Sequence, residues 1–220
     1  AVDIGTEGAW PGLAATAAGG EILLIEATRM LGRKNLMLTG QLGDVMKESA
    51  HAALSYLRSQ ADALNISAKL IDESDVHLHV PAGAMPKEGP SAGIALTAVL
   101  VSLFTNRVID AQVALTGEIT LRGRVLPVGG IRDKVLAAQR AGIRTVVLPK
   151  QNGVDLEEVP ATIRQRLNFV LVEHMDEVLS AVLGPKAKRP AARRARGKTS
   201  ASKAGRGSAA RAKAAGRSRK

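Results

Sequence analysis

The chain of 220 residues carries 31 Lys and Arg against 20 Asp and Glu, but 14 of the basic residues and none of the acidic ones fall in 185–220. The first 184 residues hold the other 17 basic groups and all 20 acidic ones, a net of −3, so the pI near 10.4 belongs to the tail. A content of 45% hydrophobic residues excludes a disordered body, and the absence of cysteine excludes a disulfide framework, a zinc–thiolate centre and a cysteine nucleophile.

The body is long enough for one buried core. No stretch approaches the roughly 20 apolar residues of a membrane span, and the N-terminus shows no basic and apolar leader pattern. A cytoplasmic setting is expected. Because the chain opens on Ala rather than Met, it is also expected to be a piece of something larger.

In chain order, 21–26 and 35–39 read as strands around a turn at Gly32, Arg33 and Lys34. The segment 43–64 reads as a long amphipathic helix, with Met46, Ala50, Ala53, Leu57, Ala61 and Leu64 at spacings of three and four. Alternation from Val76 to Val80 predicts a half-buried strand ended by Pro81. The segment 90–104 is apolar on nearly every side and is predicted to be a central helix. Two short strands follow at 112–119 and 121–128, broken by Gly117 and Gly123. A helix is predicted over 131–141, stopped by Gly142. Strands at 144–148 and 169–172 and a helix at 175–183 complete the body. Strands and helices alternate, so the fold class is α/β or mixed α+β. The expected division is a lead-in at 1–11, a domain at 12–184 and a disordered Lys/Arg/Ala-rich tail at 185–220.

The most pointed local sequence is Pro86-Lys87-Glu88-Gly89-Pro90-Ser91-Ala92-Gly93. Proline fits the first turn of a helix, which places Ser91 at or beside a helix start. There it either caps the helix or presents a hydroxyl beside free backbone N–H groups able to hold an oxyanion. Gly89, Ser91 and Gly93 also satisfy G-x-S-x-G. A nucleophile elbow, however, needs a strand running into the serine and a downstream acid and histidine. The predicted strand ends near Pro81, and His174 is the one downstream histidine. His51 lies on the long helix. His77 and His79 share a strand face that reads as polar surface, with too few neighbours for a metal site.

Lysine is the other candidate base, because burial lowers its pKa. On the 131–141 helix, Lys134 falls on one face with Ile131, Val135 and Ala138, while Arg132, Asp133, Gln139 and Arg140 lie opposite. Lys134 either snorkels out along its methylenes or serves as a buried amine. A serine at a helix start and a lysine on an apolar face are together the ingredients of a Ser–Lys dyad.

At these residues the chain resembles the proteolytic domain of Lon, the ATP-dependent serine protease called endopeptidase La. The resemblance rests on the 86–93 run, on Thr116-Gly117-Glu118-Ile119, on Val128-Gly129-Gly130 leading to Lys134, and on the 43-residue step from Ser91 to Lys134. Further matches are Thr39-Gly40-Gln41-Leu42-Gly43 with Met46-Lys47-Glu48-Ser49, His77-Leu78-His79-Val80-Pro81, and Ala141-Gly142-Ile143 leading to Val147-Leu148-Pro149. It spans roughly 12–183. One departure is Ala15, where many members carry tryptophan.

The resemblance implies a mixed α/β fold related to a ribosomal-protein domain, assembled as hexamers. It implies Ser91 as nucleophile and Lys134 as general base, with Thr116 near the dyad to orient the amine. Glu88, Gly89, Pro90 and Ala92 would be supporting neighbours. It also implies protein quality control on unfolded chains, delivered by an N-terminal AAA+ motor that would bind ATP and Mg2+. No such motor is expected in this chain. Its one Gly-Lys-Thr run, at Gly197, Lys198 and Thr199, has Ala192 where a P-loop needs its first glycine. No metal or cofactor is expected in the domain itself.

The tail, with Arg193, Arg194, Arg196 and Lys198, suits a polyanion, DNA first, held without sequence specificity. The rival reading is therefore a non-catalytic α/β module that binds nucleic acid through this tail.

Overall fold

Residues alternate between two faces along the strands, and that alternation sorts the core. A computed structural model describes residues 9–16, 19–81 and 87–186, with side chains over 20–81 and 87–184. The elements run β1 (Ala9–Thr16), β2 (Gly19–Leu31), β3 (Leu36–Thr39), α1 (Asp44–Ser59), α2 (Ala68–Asp72), β4 (Ser74–His79), α3 (Gly93–Thr105), β5 (Arg107–Ile109), β6 (Val113–Leu115), β7 (Glu118–Ile119), β8 (Val125–Leu126), α4 (Ile131–Arg140), β9 (Thr145–Pro149), a 3-10 segment (Lys150–Glu158), α5 (Ala161–Arg164), β10 (Asn168–Val172), α6 (Met175–Val182) and β11 (Leu183–Lys186). The mixed α/β class is as expected. By its contacts the chain divides into Ala1–Lys188 and Arg189–Lys220. The second unit lies wholly outside the described residues, as do Arg193, Arg194, Arg196 and Lys198.

Seven strands form one sheet in the order β10-β9-β6-β1-β2-β4-β3. From β10 to β1 neighbours run parallel; β1, β2 and β4 pair antiparallel, and β3 lies parallel to β4. Val113, Leu115 and Val147 enter the large cluster with α1, α3 and α6, whereas Ala114, Val146 and Leu148 enter a smaller one with Ile131, Val135 and Ala138 of α4. Adjacent residues thus serve opposite faces. The helix α3 crosses the centre of the large cluster, with eleven of its thirteen residues buried, as its all-round apolar character predicts.

Three expectations change in the folded chain. Strands β2 and β3 do not pair across their turn, because β4 lies between them. Asp75 of β4 holds that turn instead, accepting from the amides of Arg33 at 2.7 Å and Asn35 at 2.9 Å. Those donors lower its carboxyl pKa, the Asn35 amide most. The helix α1 stops at Ser59 and the chain continues in turns to Asn65, which has φ of 55°. At the C-terminus, β11 pairs with β5 as far as Lys186↔Arg107, two residues beyond the expected body. The Arg107 guanidinium secures it by donating to the carbonyls of Gly184 at 2.9 Å and Leu183 at 2.8 Å.

Candidate active site

The site lies at the C-terminal end of β6, where Thr116 and Gly117 leave the sheet and meet the start of α3. Gly117 N–H donates to the Ser91 carbonyl at 2.8 Å, and Ile94 N–H donates to the Gly117 carbonyl at 3.1 Å. An N–H group at the start of α3, which has no partner inside the helix, is thereby satisfied by a strand end. Gly93 is required here, because an added Cβ would stand 2.9 Å from the Ile119 amide nitrogen. Ser91 itself sits in the turn before α3. Ala92 holds the cap position with no side-chain cap bond, so Ser91 is not spent as a helix cap. Among the described residues, the N–H groups of Ser91 and Ala92 meet no acceptor.

Lys134 approaches from the opposite cluster. Gly130, with φ of 72°, turns the chain into α4, and Lys134 N–H donates to the Gly130 carbonyl at 3.1 Å. The Lys134 side chain is only 2% exposed. Burial lowers its pKa from 10.5 to about 8, since a low-dielectric site disfavours the charged form. Ser91 and Lys134 line the same pocket of about 300 Å³, together with Glu88, Pro90, Val128 and Gly129. Ser91 caps no helix, Lys134 is buried, and both face one pocket.

Thr116 is 1% exposed, and its hydroxyl donates to the Ser91 carbonyl at 3.4 Å; its contact is thus to the serine backbone. The Glu88 carboxylate lies against Gly43, the cap residue of α1, where the positive helix end favours an anion. Gly89 has φ of 94° and open space where a Cβ would stand. Neither His51 nor His174 lines the pocket. His77 and His79 lie at the half-buried positions of β4, with the Thr39 hydroxyl 2.8 Å from His77 Nε2 and 2.6 Å from His79 Nδ1. Among the described residues no group of three or more His, Cys, Asp or Glu comes together to hold a metal. No helix there is long and apolar enough to cross a membrane.

Three contributors escaped the sequence reading of the site. Lys87 is 6% exposed and its Nζ donates to the Gly40 carbonyl at 2.7 Å, tying the 39–43 loop to the serine loop. Burial is the main cause lowering its pKa. Nothing in a Pro-Lys-Glu-Gly run marks a buried lysine. Asn152, in an Asn-Gly pair that reads as a turn, is 4% exposed and bonds to Val128.

The third is Gly20 of β2. A Cβ there would run into the Asp133 carbonyl and stand 2.8 Å from the Lys134 amide nitrogen. Both sides of that clash are backbone, so Gly20→Ala must push α4 off the sheet. A loss of about 2 kcal/mol or more is expected, measurable as a lower denaturant midpoint at unchanged slope. Wild-type stability in that variant would mean that α4 is not seated on β2.

The pocket thus defines an α/β domain in which a serine turn and a buried lysine converge from opposite faces of one sheet. The family model of the Lon protease (S16) C-terminal proteolytic domain matches residues 3–185, and the chain belongs to that family. It is 59% identical over 175 residues to a Lon protease of Syntrophus aciditrophicus, covering 80% of this chain and 22% of the relative. A Lon protease of Roseiflexus castenholzii is 61% identical over 175 residues, with the same shares. The peroxisomal Lon protease homolog 2 of Xenopus laevis is 59% identical over 175 residues, covering 77% and 20%. The chain spans about a fifth of the length of these curated relatives.

Proposed function

We propose that this domain is a serine endopeptidase in which Ser91 is the nucleophile and Lys134 the general base. The observation that carries the reading is the shared pocket of Ser91 and a Lys134 side chain that is 2% exposed. An amine that titrates at about 8 is partly neutral near pH 7.5. It accepts the hydroxyl proton as Ser91 Oγ attacks a peptide carbonyl. The N–H groups of Ser91 and Ala92, which meet no acceptor among the described residues, are the proposed donors for the developing oxyanion. The protonated Lys134 then supplies its proton to the leaving amine. In the second half, Lys134 takes a proton from the water that hydrolyses the acyl-enzyme, and collapse of the new tetrahedral centre returns the proton to Ser91.

Thr116 supports this by fixing the Ser91 carbonyl, and the α3 start by fixing the turn. Unfolded chains in protein quality control are the proposed substrates. Delivery by an ATP- and Mg2+-dependent AAA+ motor, within a hexamer in the cytoplasm, is the proposed setting. The direct test is a fluorophosphonate probe, which phosphonylates an activated serine. Adduct on Ser91, lost in Lys134→Met, is expected; a chain that never reacts would overturn the assignment.

The 14 cations of 185–220 carry a second, separable proposal, a non-specific polyanion contact. DNA binding should be strong at low salt and fall steeply as salt rises. Since β11 extends to Lys186, the chain to compare should end at 187. Equal DNA affinity of that chain and the full one would remove the tail from any such role.

A further inference from the structure

One wall of the pocket that Lys134 lines is the stretch from Pro127 to Gly129, which leads into Gly130 and has few internal restraints beyond the proline ring. Pro127 and Gly129 are exposed, Val128 is half-buried, and Gly130 stands in the left-handed region with φ of 72°. A Cβ on Gly129 would meet nothing within 4 Å. Two consecutive glycines carry little conformational restraint of their own, so this segment needs an anchor from outside. Asn152 supplies one. Its Oδ1 accepts from Val128 N–H at 3.0 Å, and its Nδ2 donates to the Val128 carbonyl at 2.9 Å and to Asp155 Oδ2 at 2.6 Å. The side-chain amide thus engages both backbone groups of Val128, as a neighbouring strand would, and Asp155 sets which way the amide faces.

Resting on the proposed Ser91–Lys134 chemistry, we infer that Asn152 is a positioning residue. Its grip on Val128 holds the Val128–Gly129 wall against α4 and keeps water off the Lys134 amine. The path is short: Val128 is two residues from Gly130, whose carbonyl accepts from the Lys134 amide. The 3-10 segment that carries Asn152 packs against α4 itself, so one element braces both sides of the wall.

The charged groups around Lys134 do not account for its state. Glu88 shares its pocket. Arg132 and Asp133 of α4 line a second pocket with Asp155 and Glu158 of the 3-10 segment, and Glu21 stands on β2, which packs on α4. Burial is the cause of the lowered pKa. Replacing Asn152 by a neutral residue leaves every one of these charges in place, so a changed Lys134 titration would report water access.

The test follows the Lys134 Cε resonance of the full chain labelled with 13C-lysine, assigned by its loss in Lys134→Met. The wild-type midpoint is expected near 8. In Asn152→Ala it should rise by roughly one unit toward the unperturbed 10.4, and the acid limb of the peptidase pH profile should move with it. Asn152→Ser, which keeps one hydrogen-bonding group, should shift it less and serves if the alanine variant does not fold. Val159→Ala, a truncation in the same small cluster, should lower stability and leave the midpoint in place. A folded Asn152 variant whose Lys134 titrates as in wild type overturns the inference, as does an equal shift in Val159→Ala. A normal lysine midpoint in the wild type, or an active Lys134→Arg, would strike the Ser–Lys reading itself.

Discussion

Ser91→Ala should fold as wild type and lose peptide hydrolysis by about three orders of magnitude or more, the scale seen when a nucleophile is removed from a unit that acts together. Stability should change little, because Ser91 caps no helix and lies half-buried in a turn. The bonds that hold that turn run from Gly117 and Thr116 to the Ser91 carbonyl, which alanine retains. Far-UV circular dichroism and a denaturant melt would establish the fold, and cleavage of an unstructured peptide would read the activity. Near-wild-type cleavage would reject Ser91 as nucleophile.

Lys134 makes the second large effect. With its pKa lowered to about 8, activity should fall tenfold per pH unit well below that value, as the amine becomes protonated and can no longer accept a proton. Lys134→Arg should be inactive at every accessible pH, since guanidinium stays charged. Stability depends on the same titration. The unfolded chain holds its lysine proton to about 10.4 and the folded one only to about 8. Between those values the unfolded state binds more protons, so stability rises with pH across that window. Below pH 8 the folded chain carries the whole cost of a buried ammonium, about 3 kcal/mol for the drop from 10.5 to about 8. Lys134→Met removes that cost and keeps the volume, so at pH 7 it should melt at or above the wild-type temperature. An active arginine variant would end the general-base assignment.

Much of the molecule is legible in its sequence because local pattern and tertiary role coincide. The helix α3 reads as central since it has no polar face. The stop of α4 reads from Gly142, which accordingly sits at the centre of a Schellman turn, with Gly142 N–H donating to the Gln139 carbonyl at 3.1 Å and Ile143 N–H to the Ala138 carbonyl at 3.0 Å. Other features are not written locally. β1 escapes notice because Gly12, Ala14 and Ala15 lack the branched side chains that mark strands; its place is set by pairing to β2 and β6. The false extension of α1 arises because Ala61 and Leu64 still meet the core, Ala61 at 7% exposure, while the backbone there has left the helix. That β4 separates β2 from β3 is a long-range choice. Of the site, Ser91 and Lys134 stand out because each breaks a local pattern. Lys87, Asn152 and Gly20 do not, since what singles them out is contact with backbone distant in the chain.

The two halves of the pocket rest on supports of very different depth. Ser91 precedes a helix with eleven of thirteen residues buried in the large cluster, whose amides can exchange with solvent only when most of the molecule opens. Lys134 rides on a ten-residue helix over the small cluster, which has far less apolar surface to lose. Partial openings should therefore carry Lys134 out of the pocket it shares with Ser91 long before they disturb the serine turn itself. Heat inactivation in this domain should accordingly begin as a reversible departure of Lys134 from the pocket, with the helix that follows Ser91 still in place.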